Sequence, residues 1–120
     1  MALVRINYSA KKLPTFGREI GLIVNRVMHE VLTVPYAENY VVASAHERDQ
    51  IIHTNPDLQE STIEDIVFIQ ITLNQGRSDE LKKRFFQIIK GEITQTMGLP
   101  TSQIYINLVE VDKANWAFSK

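Results

Sequence analysis

No cysteine occurs among the 120 residues, which removes disulfides, thiolate metal sites and a cysteine nucleophile together. Neither sign of charge dominates: 13 Lys and Arg stand against 14 Asp and Glu, a formal net charge of -1. Non-specific binding to nucleic acid or to an acidic membrane surface draws on a basic excess, so neither partner is expected. Long apolar runs are missing as well. The longest fall well short of the roughly 20 residues that a bilayer-spanning helix needs, so no membrane association is expected. Arg5 and Asn7 interrupt the one N-terminal apolar run, so no signal peptide is expected either, and the expected location is cytoplasmic. Phosphate-binding loops, dinucleotide fingerprints and nucleophile elbows are absent, and no cofactor is expected. His46, Asp49 and His53 fit no common ligand spacing; they are read as structural or solvent-facing, with no metal.

What is there suits one folded unit. At 44% hydrophobic residues over 120 positions, the chain can bury a modest core, and a single domain over residues 1–120 is expected. Shifting the sequence against itself by 65 positions exposes an internal repeat, residues 2–44 upon 67–109, without a gap. Leu3-Val4-Arg5-Ile6-Asn7-Tyr8 falls on Phe68-Ile69-Gln70-Ile71-Thr72-Leu73. Ile20, Ile23, Val24 and Met28 fall on Phe85, Ile88, Ile89 and Ile93, Pro35 falls on Pro100, and Tyr40 falls on Tyr105.

Each copy reads as strand, helix, strand. Residues 3–8 and 66–73 are β-branched and apolar at strand length. Residues 15–32 carry Phe16, Ile20, Ile23, Val24, Val27 and Val31 on one helical stripe; residues 79–97 do the same with Leu81, Phe85, Ile88, Ile89 and Ile93. Ser78 suits a helix N-cap, and Asp79 and Glu80 suit the positive first turn. The spacing predicts Asp79–Lys83 and Glu80–Arg84 pairs, making Lys82, Lys83, Arg84 and Lys90 a solvated face. His29 is expected at a helix surface or boundary. Pro35 and Gly98-Leu99-Pro100 end the helices, and residues 40–44 and 104–109 read as the second strands. The polar connection 45–65 holds one possible short strand at 50–53.

A β-α-β crossover makes its two strands parallel. Two such units imply an α+β (α/β) fold, a four-stranded mixed sheet with both helices on one face. The opposite face would expose Val4, Ile6, Ile69 and Ile71 or their alternates, which calls for cover by self-association. The same element order fits a ferredoxin-like monomer, including RNA-binding domains. That reading needs aromatics on the central strands, and Phe68 alone lies well inside one.

The loop Asn74-Gln75-Gly76-Arg77-Ser78 leads into the second helix, where unpaired N–H groups and the helix dipole are positive. Arg77 is unfavourable there for the helix itself. Either it shares an anionic ligand such as a carboxylate with those N–H groups, or it bends to Asp79 or to water. Lys12 takes the corresponding place in the first copy.

These residues carry a resemblance. G-R-S, a helix, G-L-P, the alternating strand "IYINLVEV" and then N-W resemble the second half of tautomerase-superfamily proteins. The nearest branch is similar to malonate semialdehyde decarboxylase, which the first half also resembles through "VPYAENY". "IYIN" followed by "NW" is similar to macrophage migration inhibitory factor. The resemblance implies a homotrimer with sites between neighbouring subunits, and an N-terminal proline, exposed by loss of Met1, as general base or acid. An amine in an apolar pocket has its pKa pulled toward neutrality, and arginines hold a small carboxylate-bearing substrate.

By that resemblance, Ala2 stands where the catalytic proline would be. Arg77 matches one substrate-binding arginine and Gln75 stands in place of the other. Glu38 matches an aspartate that orients or activates water; otherwise it is an exposed loop carboxylate. Trp116 and Phe118 match an apolar pocket wall, or are interface aromatics. Tyr105 and Asn107 match pocket residues of the migration-inhibitory-factor branch, or divide between core and surface. Two functions follow: a tautomerase-like enzyme (isomerase, decarboxylase or hydratase type) in which the primary amine of Ala2 serves as a weaker base or forms an imine, or a non-catalytic trimeric small-anion-binding protein.

Overall fold

The computed structural model describes residues 1–117. Strands β1 (Ala2–Ser9) and β3 (Val67–Asn74) lie at the centre of a four-stranded sheet of order β2-β1-β3-β4, with β2 (Asn39–His46) and β4 (Ile104–Val111) at its edges. β1 runs parallel to β2 and β3 parallel to β4, while β1 and β3 are antiparallel, so the sheet is mixed. Helix α1 (Phe16–Leu32) makes the first crossover and α3 (Asp79–Met97) the second. All four strands of the two copies sit at an offset of 65 residues, as do the 3₁₀ turns Tyr36–Glu38 and Thr101–Gln103 that precede β2 and β4.

Period-two alternation sorts the central strands. Ala2, Val4, Ile6 and Tyr8 of β1 and Val67, Ile69, Ile71 and Leu73 of β3 are buried, and with the stripes Ile20, Val24, Val27 of α1 and Phe85, Ile89, Ile93 of α3 they form one core. Ser78 caps α3 by accepting from the Leu81 N–H at 3.2 Å, as its sequence position predicts. Both crossover helices end on a residue in the left-handed region. At the end of α3 it is Gly98 (φ 74°), which carries no Cβ to clash; at the equivalent end of α1 it is Thr33 (φ 57°).

The opposite sheet face carries Leu3, Arg5 and Asn7 of β1, Phe68, Gln70 and Thr72 of β3, Tyr40 and Val42 of β2, and Tyr105 and Asn107 of β4. Tyr40, Val42, Phe68 and Tyr105, among the large hydrophobics the chain leaves exposed, all lie on it, with the Phe68 and Tyr105 rings stacked at 5.4 Å. It is these alternates, and not Val4, Ile6, Ile69 and Ile71, that are bare.

Two local expectations differ from the structure. Residues 50–53 form no strand: Arg48–Gln50 is a 3₁₀ turn closed by reciprocal side-chain bonds between Glu47 and Gln50, and Arg48 ties the loop together through Glu60, the Ile51 carbonyl and His53. The connection also holds a short helix, α2 (Glu60–Asp65), pinned by buried Ile63. Among the described residues the ion pairs of α3 run from Lys82 to Asp79 and Glu110 and from Glu92 to Arg26 of α1, instead of Asp79–Lys83 and Glu80–Arg84. Reach from the helix to Glu110 on β4 and to Arg26 on α1 outcompetes the purely local spacing.

Candidate functional site

The sheet end where β1 begins gathers most of the polar groups singled out above. Ala2 pairs across to Asn39 on one side and Leu73 on the other. Its methyl belongs to the helix-side face and has 0% exposure, so residue 2 is a core position as well as a strand end. Pro35 (φ -63°, ψ 135°) leads the chain away from α1 into the turn Tyr36–Glu38, and this turn sets Glu38 beside the terminus: the Met1 ammonium donates to Glu38 Oε2 at 3.2 Å. His29, in the last turn of α1, stacks on Tyr36 with ring centres 4.0 Å apart, its Nδ1 lying 3.1 Å from the Val34 carbonyl. That contact holds the same connection from the helix side.

Arg77 is built in from the second copy. Gly76 (φ 125°) takes a backbone conformation closed to L side chains, turning the chain between β3 and α3. The guanidinium then reaches across to the end of α1. Its Nε and Nη2 donate to the Leu32 carbonyl at 3.3 and 3.0 Å, and its Nη1 donates to the Asn74 carbonyl at 3.0 Å. Of the two expectations, the bend to Asp79 or out to water does not describe Arg77. It clamps the C-terminal end of α1, where unpaired carbonyls and the helix dipole favour a cation. Its hydrogen bonds among the described residues all go to main-chain carbonyls, and its charge meets no carboxylate there. A guanidinium has five N–H groups in a fixed fork, so two remain for another acceptor.

Trp116 lies at the same end, its Nε1 donating to Asn74 Oδ1 at 2.6 Å. Gln75 binds Val111 through its main-chain N–H at 2.9 Å, and its side chain is exposed. Phe118 lies outside the described residues. Tyr105 and Asn107 stand elsewhere. They pair with Phe68 and Gln70, whereas Ala2 lies beside Leu73 and hence Glu110. Five residues of strand, roughly 17 Å at 3.3–3.4 Å each, separate Tyr105 from the Ala2 end within one chain. There they border an open depression of about 420 Å³ with Asn7, Phe68 and Gln70.

Sequence reasoning missed Asn74, which holds Trp116 through its side chain and Arg77 through its carbonyl. Its place at the end of a strand next to Gln75-Gly76 was the available signal. It also missed the Leu32 carbonyl, which no side-chain pattern announces. Among the described residues no cluster of three or more His, Cys, Asp or Glu could hold a metal ion, and no helix is long and apolar enough to cross a membrane.

A duplicated β-α-β unit with a polar site at the N-terminal end of its central strand defines the tautomerase fold class. The family model described as tautomerase enzyme matches residues 38–119, and the chain belongs to that family. It is similar to Probable tautomerase YusQ of Bacillus subtilis (strain 168), 22% identical over 118 residues, covering 98% of this chain and 93% of that protein. Among solved structures it resembles FG41 malonate semialdehyde decarboxylase inhibited by 3-bromopropiolate (25% identity, 98% of this chain and 89% of that one, TM-score 0.83). A fused 4-OT wild type symmetric trimer shares the fold (12% identity, 98% and 91% coverage, TM-score 0.78).

Proposed function

We propose that this protein is a trimeric member of the tautomerase superfamily whose boundary pockets take a small carboxylate-bearing carbonyl compound, and that the reaction a terminal proline would perform there has been lost. The observation that carries the reading is Arg77. Its guanidinium is oriented by two backbone carbonyls, meets no acid among the described residues, and keeps N–H groups for an anion. Glu38 and Trp116 stand at the same sheet end and would flank such a ligand. The likeness to a decarboxylase of malonate semialdehyde, which bears a carboxylate and an aldehyde, supports that ligand class.

The bare sheet face supports self-association, and the likeness to the fused 4-OT trimer supports three subunits. Tyr40, Val42, Phe68 and Tyr105 form an exposed apolar set on it, which a neighbouring subunit would cover. Tyr105 and Asn107, remote from Ala2 within one chain, would then reach a neighbour's pocket. The loss of proline chemistry rests on Ala2, and Gln75 leaves half of the arginine clamp unfilled. A second reading is favoured by Glu38, 3.2 Å from the ammonium: once Met1 is removed, the primary amine of Ala2 acts as a base or forms an imine with the carbonyl.

Mass spectrometry of the mature N-terminus, light scattering for the oligomer, and a panel of 2-oxo acids and enols test these readings together. The expected result is a trimer that binds carboxylates and turns none over, with binding abolished by Arg77→Met. Turnover by the unmodified protein with a free Ala2 amine would establish the second reading. Ala2→Pro is expected to gain tautomerase activity if the rest of the pocket is competent, because proline is tolerated at the first residue of a strand. A monomer, or undiminished binding by Arg77→Met, would refute the proposal.

A further inference from the structure

Each copy of the repeat carries a cation three residues after its first strand, Lys12 after β1 and Arg77 after β3. Each sits against the end of the other copy's helix. Arg77 grips the carbonyl of Leu32, where α1 ends; Lys12 shares a cavity with Met97, where α3 ends. The two ends of the molecule are thus built on one plan, in which Lys12 answers to Arg77, Met97 to Leu32 and Gln103 to Glu38. What differs is the group facing the cation. Arg77 faces carbonyls, whereas the Lys12 ammonium pairs with the carboxylate of Asp65.

Asp65 comes from 53 residues away in sequence, so the pair is no accident of neighbouring positions. It ends α2, whose Ile63 is 1% exposed, and this anchor holds the carboxylate in place. The adjoining cavity, about 200 Å³, is walled by Lys12, Leu13, Thr15, Phe16, Glu19 and Met97. The Lys12 ammonium stands 5.6 Å from the centre of the Phe16 ring.

We propose that the Lys12 end is a second carboxylate-binding site, latent in this chain because the Asp65 carboxylate already pairs with the Lys12 ammonium as a tethered ligand. The cation, the aromatic ring beside it and the apolar walls of Leu13 and Met97 suit a short monocarboxylic acid. Glu19, the one acid of the wall, disfavours a dianion. A tethered carboxylate acts at an effective concentration on the order of millimolar, so free carboxylates below that level do not displace it. The inference stands on the Lys12–Asp65 pair and its cavity, and holds whether or not Arg77 binds a ligand.

The chain's three methionines report on this separately. Met1 lies at the Arg77 end of the sheet, Met28 in the core at 0% exposure, and Met97 in the Lys12 cavity. Protein labelled with ¹³C at the methionine methyls is titrated with pyruvate and read by NMR. In Asp65→Asn the Met97 signal is expected to shift saturably, with an apparent Kd roughly tenfold or more below any Met97 response of the unmodified protein. Adding Lys12→Leu should abolish that shift, and an unmoved Met28 certifies the core. Asp65→Ser serves as a second neutral variant. The proposal is overturned if Met97 stays still in both variants, responds equally in the unmodified protein, or still responds without Lys12. Loss of the native Met28 signal in both variants would overturn it too, since a carboxylate that only fills a ligand site is dispensable for folding. Fluorescence of Trp116, the one tryptophan of the chain, reads the Arg77 end independently, so failure there and failure here are told apart.

Discussion

The two copies of the strand-helix-strand unit place a cation at the same point and then treat it differently. Arg77 is built into the backbone, bridging the end of β3 to the end of α1. Lys12 is neutralised by a side chain that the 47–65 connection brings over. The centre of the core is matched: Phe85 and its counterpart Ile20 are both at 0% exposure, as are Ile89 and Val24, and Ile93 and Met28. Its flanks are not: α1 buries nine residues and α3 three, and buried Val27 answers to Glu92, which pairs with Arg26. The physical reason is that a core position answers to shape and volume from every side. An end residue answers only to what the adjoining loop supplies.

The comparison breaks first in the core if the halves are not in fact one packed unit. Phe85→Ala should cost about 3–5 kcal/mol and Ile20→Ala about 2–5 kcal/mol, with a single denaturation transition in both; separate transitions for the two variants would show halves that unfold independently. The cations come next. Arg77→Met removes three hydrogen bonds from a charged donor and should cost about 1–3 kcal/mol. Lys12→Met removes one half-exposed ion pair and should cost less than about 1 kcal/mol. Equal losses in urea titrations would erase the distinction drawn between clamp and ion pair.

The helix ends sharpen it further. Gly98→Thr forces a branched residue into the left-handed region and should cost about 1–2 kcal/mol. Thr33→Gly relieves that conformation and should gain up to about 1 kcal/mol, less whatever the Thr33 hydroxyl contributes through its 2.7 Å bond to the Leu32 carbonyl. Destabilisation by Thr33→Gly would mean that this hydroxyl, which shares its acceptor with Arg77, matters more than backbone strain. The smallest effect lies in the connection. The hydrogen bond from Arg48 holds the exposed Glu60 carboxyl below its ordinary value of 4.5. A depressed carboxyl stabilises the fold above its unfolded pKa and loses that contribution as pH falls through the folded value. The stability difference between the unmodified protein and Glu60→Gln should therefore be largest near neutral pH, fade below pH 4.5, and shrink with added salt.

Much of the architecture was legible because it is written in periods. The alternation of β1 and β3 and the stripes of α1 and α3 depend on side chains close in sequence, and the 65-residue offset lets each copy corroborate the other. The connection was less legible. Helix α2 is short and polar, and only the burial of Ile63 against the rest of the protein stabilises it, which no local pattern carries. Gly76 and Ser78 announced their roles because a positive φ and a helix N-terminus each demand particular residue types. The candidate site was legible as a location around Ala2, Glu38, Arg77 and Trp116, and illegible as a set of contacts.

The sequence by itself determined the duplicated strand-helix-strand order, the buried stripes of the two crossover helices and the loop that turns on Gly76, because propensity, periodicity and backbone sterics act over a few residues. Only the tertiary structure decided which sheet face is bare, that Arg77 spends its hydrogen bonds on Leu32 and Asn74, and that Asp65 meets Lys12. Those pairings depend on where remote segments arrive after packing, and a side chain with several possible partners takes the one that the folded backbone puts within reach.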